Sequence, residues 1–186
     1  MFGRVPRRIM QLADLFFVGS FTTMPTSDPV EILVAHNHWS TSRILDACAK
    51  LSPEKMEQPF ELGPGSLQKT LVHILGAMQG WGDLLAGREQ RPRLENTSQT
   101  LDSMKSLLQQ LTDDILASTR NHSVAESVSG ERGGSSYIFQ RGAVITHLMT
   151  HGVHHRAQCL NMLRHLGVDP LPPSSILEWT MMGEGS

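Results

Sequence analysis

His151 and His155 stand four residues apart in the run Thr150-His151-Gly152-Val153-His154-His155-Arg156-Ala157-Gln158. A helix returns to nearly the same azimuth after four residues, about 6 Å further along its axis, so the two imidazoles can close on one metal ion. A third histidine, His73, lies in another apolar segment, Thr70-Leu71-Val72-His73-Ile74-Leu75. Three His on a Zn²⁺-like ion leave a coordination position for water or substrate, as reactive sites require. The bland alternative is a hydrogen-bonded pair of helical histidines, since this spacing arises by chance. The H-e-x-x-H pattern of zincin proteases is absent. Cys159 continues the ladder beyond His155 but is two turns from His151, and it reads as a buried thiol.

These residues must be positioned by helices. Asp28-Pro29-Val30-Glu31 has the chemistry of a helix start: a capping carboxylate, a first-turn proline and a capping-box glutamate. The stripe that follows is Val30, Leu33, Val34, Thr41, Ile44, Leu45, Cys48 and Leu51, ended by Ser52-Pro53. Asn37 falls inside it, and a buried amide there must bond a neighbouring helix or a loop. Ser66 caps a second helix carrying Leu67, Leu71, Ile74, Leu75, Met78, Trp81 and Leu85, with Gly87 as its stop. A third helix begins near Thr97 or Ser98 and runs through Leu101, Met104, Leu108, Leu111 and Ile115. Residues 121–140 are irregular apart from a short strand at Tyr137-Ile138-Phe139. The fourth helix spans about Arg141 to Leu166, with Gly167 after it. The tail is expected to pack in extended form, anchored by Ile176, Leu177 and Trp179.

This pattern predicts an all-α fold, an antiparallel four-helix bundle with a long connection between helices three and four. The bundle domain covers 28–182. Residues 1–27 read as an N-terminal extension, a loose or misassigned segment ahead of a start at Met24. Arg4, Arg7 and Arg8 before Leu15-Phe16-Phe17-Val18 only superficially resemble a signal peptide, because Asp14 interrupts the run and no cleavage site follows. On a helical wheel His73, His151 and His155 lie at stripe margins, suited to lining a cleft. His147 and His154 are expected on the opposite face, in solvent or at a subunit contact. His36 and His38 are expected at the surface or a cleft rim.

The chain has 186 residues, a net charge of −2, 39% apolar and 18% charged residues. Without clustered Lys/Arg, and with one Tyr and six Phe, it has no nucleic-acid platform. No apolar run approaches the roughly 20 residues of a membrane span. Cys48 and Cys159 make no CxxC and no disulfide framework, so a reduced, cytoplasmic setting is expected. Trp39 is expected to point away from the apolar stripe and to anchor a homodimer.

Several stretches together resemble the DinB-like family of metal-binding four-helix bundles. They are Asn37-His38-Trp39, Leu71-Val72-His73-Ile74, the string from His147 through His151, His155 and Arg156 to Gln158, and the tail from Leu171-Pro172-Pro173 to Trp179. The resemblance covers about 28 to 180. It implies that His73, His151 and His155 form the metal triad, with His154 outside it. Asn37, Arg156 and Gln158 are the candidates for supporting or cleft roles, each with a purely structural alternative. The chain departs from the common pattern at Ala157, where Gly is frequent, and at His36, where Tyr is frequent.

The resemblance also implies chemistry, since relatives include thiol S-transferases and thiol-dependent isomerases that use low-molecular-weight thiols. An ion at the triad, Zn or Ni by ligand type, would lower the pKa of a bound thiol or activate water for hydrolysis. Hydrolysis wants a carboxylate base. No Asp or Glu lies within one turn of the helix-four histidines, and Asp83 is more than two turns from His73. Glu126 or Glu131 from the loop are the acids able to fold over the site. The expectation is therefore a metal-dependent S-transferase acting on a small-molecule electrophile, with a thiol cosubstrate and no assigned catalytic residue beyond the metal. The alternatives are a metal-dependent hydrolase and a non-catalytic, stress-related metal-binding bundle.

Overall fold

Asp28 accepts a hydrogen bond from the Val30 backbone N–H at 2.7 Å and opens the first helix, α1, Pro29–Cys48. A computed structural model describes residues 27–132 and 134–183. After α1 come α2, Pro53–Glu57; α3, Leu67–Leu85; a 3-10 turn, Leu94–Asn96; α4, Leu101–Asn121; strands β1, Ser127–Arg132, and β2, Ser135–Gln140; α5, Arg141–His165; and α6, Ile176–Met181. The chain is mostly helical. The reading of 1–27 as an extension lies, Ser27 apart, outside the described residues.

The start and stop chemistry acts as its residue types require. Ser66 accepts from the Lys69 N–H to open α3, and Gly87 and Gly167 follow α3 and α5 with φ of 64° and 86°. Such positive φ values cost glycine little. The third long helix starts later than expected, at Leu101, because Thr100 and Ser103 form the capping box. The long helices α1 and α3 each pack against both α4 and α5. Between them lies a core that includes Ile44, Leu45, Leu71, Leu75, Leu108, Ile115, Leu148 and Leu163. Leu33, expected in the stripe, is 39% exposed.

The all-α expectation is corrected by the β1–β2 hairpin, which pairs antiparallel from Ser127↔Gln140 to Arg132↔Ser135. The sequence Ser127-Val128-Ser129-Gly130-Glu131-Arg132 has one apolar residue, so it carries no strand pattern of its own. Tyr137 crosses over Gly130, where a Cβ would lie 2.7 Å from the Tyr137 Cζ. β1 packs on α3 and β2 on α5. Arg141 locks the junction: its Nη1 donates to the Leu85 carbonyl at 2.6 Å and the Ser118 hydroxyl at 2.9 Å. It thereby occupies one of the carbonyls that α3 leaves open at its end.

The tail is also corrected. Ser175 and Glu178 form a capping box that starts α6, so the segment is helical rather than extended. Trp179 is buried, but Leu177 is 74% exposed and anchors nothing. Trp39 is buried as well, with its ring 6.3 Å from that of Trp179. It therefore does not supply the exposed anchor expected for a dimer. No helix among the described residues is long and apolar enough to cross a membrane.

Candidate metal centre

The pairing of α3 with α5 brings His73 onto the His151–His155 face. Ligand nitrogens of the three lie within 4.8 Å of one another. The ring centroids are 4.9 Å apart for His73–His151, 4.6 Å for His73–His155 and 4.4 Å for His151–His155. The Nε2 atoms of His73 and His151 are 3.1 Å apart. Two imidazole nitrogens at that distance share either a proton or a cation. With metal–nitrogen bonds of about 2.0–2.1 Å, two ligands on a tetrahedral ion place their nitrogens roughly 3.3 Å apart, so the donor set fits a Zn²⁺-like ion.

Two of the three imidazoles, His151 and His155, are held in the state a metal needs. Burial brings the His151 pKa down to about 4, and the neighbouring histidines His155, His73, His147 and His154 push the same way. His155 is also lowered, first by burial. Both are neutral at pH 7, with lone pairs free to bind.

Gln158 orients His155. Its Oε1 is 2.7 Å from the His155 Nδ1, which donates to it and leaves Nε2 as the free nitrogen. The Gln158 amide in turn donates to His154 Nε2 at 3.1 Å. The turn after α2 seats this amide: Gly63, at φ 54°, lies so close that an added Cβ would fall 2.9 Å from the Gln158 Cδ.

Asn37 and Arg156 form a buried pair beneath the site. Arg156 is 3% exposed and donates from Nη1 to Asn37 Oδ1, while Asn37 Nδ2 donates to the Met78 sulfur at 3.5 Å. Burial lowers the Arg156 pKa to about 10, which still leaves it charged at pH 7. The pair ties α1 to α5. His36 is not at a surface: it is buried, its Nε2 lies 3.0 Å from the Ser174 carbonyl, and it stacks near Trp39 and Trp179. His38 is half-buried, with Nδ1 3.2 Å from the Thr112 hydroxyl.

A cleft of about 620 Å³ opens beside the triad, lined by His73, His151, His147, Gly76, Gly80, Trp81, Tyr137, Arg93 and Glu95 among others. His147 is thus on the cleft face, not the opposite one, with its ring 5.5 Å from both Trp81 and His151. The step from 147 to 151 equals that from 151 to 155, and this regularity was the available signal. His154 is exposed, as expected.

Sequence reasoning missed the acid. Glu126 bonds His122 and the Ser123 N–H, away from the triad. Glu95, from the 3-10 turn, comes instead to 3.6 Å of His73 Nδ1. The segment carrying it is clamped by Asp83, which is fully buried and accepts from the Arg91 and Arg88 side chains and the Arg91 N–H. Burial pushes the Asp83 carboxyl up, but hydrogen bonds from Arg91 and Arg88 outweigh it and leave the pKa below its usual value.

A mostly helical chain brings three imidazoles from two helices together at the wall of one cleft, a cluster that could hold a metal ion. The chain belongs to the DinB family, whose profile matches residues 24–180. It is also similar to the "Uncharacterized protein YizA" of Bacillus subtilis (strain 168), with 24% identity over 131 residues, 69% of this chain and 82% of that protein.

Proposed function

We propose that the protein is a metal-dependent S-transferase, with His73, His151 and His155 as metal ligands and a low-molecular-weight thiol as cosubstrate. The convergence of the three ligand nitrogens at the wall of a cleft carries this reading. A bound Zn²⁺ or Ni²⁺ would lower the pKa of a thiol joining it and so supply a thiolate at neutral pH. The chain's own thiols are unsuited to that task. Cys48 and Cys159 are fully buried, and burial raises both, Cys48 to about 12. The nucleophile must therefore come from outside, which agrees with a cytoplasmic location where small thiols stay reduced.

The remaining residues bind and orient. Gln158 holds the Nδ1 proton of His155. Trp81, Tyr137 and His147 give the cleft an aromatic wall, while Gly76 and Gly80 leave room beside α3. These surfaces suit a small, partly apolar electrophile.

Hydrolysis is the second reading, favoured by one observation: Glu95 lines the cleft and supplies the carboxylate that such chemistry requires. Its position on the Nδ1 side of His73, away from the nitrogen facing His151, fits an orienting role better than a base.

The test loads purified protein with Zn²⁺, Ni²⁺ or Mn²⁺ and measures conjugation of a generic electrophile with glutathione, bacillithiol and mycothiol. Metal-dependent turnover that His151→Ala abolishes is the expected result. Ester cleavage without thiol would favour the hydrolase. No turnover with any thiol, together with a melting temperature that falls on metal removal, would leave a non-catalytic metal-binding protein.

A further inference from the structure

We infer that Glu95 is a positioning residue for His73: its carboxylate accepts the His73 Nδ1 proton, fixes the tautomer and directs the Nε2 lone pair at the metal. The inference rests on His73 being a ligand, as proposed above.

The two nitrogens of the His73 ring face different partners. Nε2 lies 3.1 Å from His151 Nε2, and Nδ1 lies 3.6 Å from Glu95 Oε1. A neutral imidazole carries one proton. If that proton sits on Nε2, the nitrogen cannot ligate; if it sits on Nδ1, Nε2 is free. A carboxylate beside Nδ1 selects the second form, because only an N–H can face an acceptor favourably. Closing the gap of 3.6 Å to a charge-assisted hydrogen bond of about 2.8 Å takes a small side-chain rotation.

The chain holds this carboxylate in place by four independent means. Leu94 buries its side chain next to Glu95. Gln79, from α3, donates to the Pro92 carbonyl at 2.8 Å. Asp83 clamps Arg91, four residues before Glu95. Gly76, one helical turn after His73, leaves the space that Oε1 enters: a Cβ there would lie 3.1 Å from it. The other carboxylate oxygen, Oε2, is 3.9 Å from the Arg93 Nε.

Gln158 makes the matching contact to His155, but through a neutral amide. Glu95 is therefore the partner that adds negative charge to the ligand set, which raises the basicity of the ligating nitrogen and favours the cation.

The experiment compares wild type, Glu95→Ala and Glu95→Gln as full chains. Long-range ¹⁵N–¹H correlation on metal-free protein reads the His73 tautomer, and competition with a chromophoric chelator reads Zn²⁺ affinity. Wild type is expected to carry the proton on Nδ1. Glu95→Gln should keep that tautomer, because its carbonyl still accepts, and bind Zn²⁺ somewhat less tightly. Glu95→Ala should shift the proton towards Nε2 and weaken Zn²⁺ binding by about 10- to 100-fold. An unchanged tautomer in Glu95→Ala, or an affinity within about twofold of wild type, overturns the inference. If wild type binds no Zn²⁺ at all, the metal reading fails on its own, while the tautomer comparison still decides whether Glu95 governs His73.

Discussion

Replacing Gly152 with alanine sets a methyl group where Asn37 and Arg156 meet. The added Cβ would fall 2.7 Å from Arg156 Nη1 and closer still to Asn37 Oδ1. Neither group has slack, since both residues are buried on facing helices. Overpacking alone costs about 1–3 kcal/mol. If the methyl parts the pair, a buried guanidinium loses the amide oxygen that accepts its hydrogen bond, which costs about 2–3 kcal/mol. The better helix propensity of alanine returns about 1 kcal/mol. The net expectation is a loss of about 3 kcal/mol, or roughly 6–12 °C in melting temperature for a chain of this size. Urea unfolding should show a lower midpoint with an unchanged slope. Asn37→Ala should lose a comparable amount, and the double variant less than the sum, because both act on one contact. A loss below about 1 kcal/mol for Gly152→Ala would refute the view that this pair is tightly seated.

Gly80→Ala is the opposite case: nothing lies within 4 Å of its added Cβ, so α3 should gain about 0.5–1 kcal/mol, measured by the same urea titration. Zn²⁺ at about 100 times its Kd should stabilise wild type by about 2.7 kcal/mol, an increment that calorimetry should not detect in His73→Ala or His151→Ala. Acid should destabilise the metal-free chain. His36, His38, His151 and His155 all have folded-state pKa values below the ordinary 6.5, so the unfolded chain binds more protons below that value. Stability should therefore be full above about pH 6.5 and fall as pH drops towards about 4, the lowered value of His151; a melting temperature unchanged from pH 7 to 5 would contradict this. Asp83→Ala should cost about 2 kcal/mol by removing the acceptor of charged hydrogen bonds. It should also speed amide exchange across 88–96, and unchanged exchange there would argue against the clamp.

Local chemistry made much of this molecule legible. Asp28, Ser66 and Gly167 mark helix ends through their own side chains or lack of one, and those ends fall where the residue types put them. The histidine spacing brought two imidazoles together, and the apolar context of His73 supplied the third. Asn37, Arg156 and Gln158 found the partners that buried or half-buried polar groups require. What stayed hidden depends on contacts distant in sequence. Trp39 looked exposed because the residue that covers it, Trp179, belongs to a short helix far down the chain. Glu95 sits in a 3-10 turn with no periodicity, and contacts from Asp83 and Gln79 on α3 hold its segment beside His73. β1 has too few apolar residues to announce a strand and exists by pairing with β2.

The hairpin has one more implication. The imidazoles are mounted on α3 and α5, whereas Tyr137, which lines the same cleft, is carried by β2. On the proposed reading, part of the wall that meets an incoming molecule thus belongs to a stretch of chain other than the one that carries the ligands. Among the described residues, those of the hairpin are largely exposed and contribute only Val128 to the buried core. Exchanging residues along the hairpin should alter which molecules are admitted while leaving the ion-holding scaffold intact, making that ribbon the natural place to redirect selectivity.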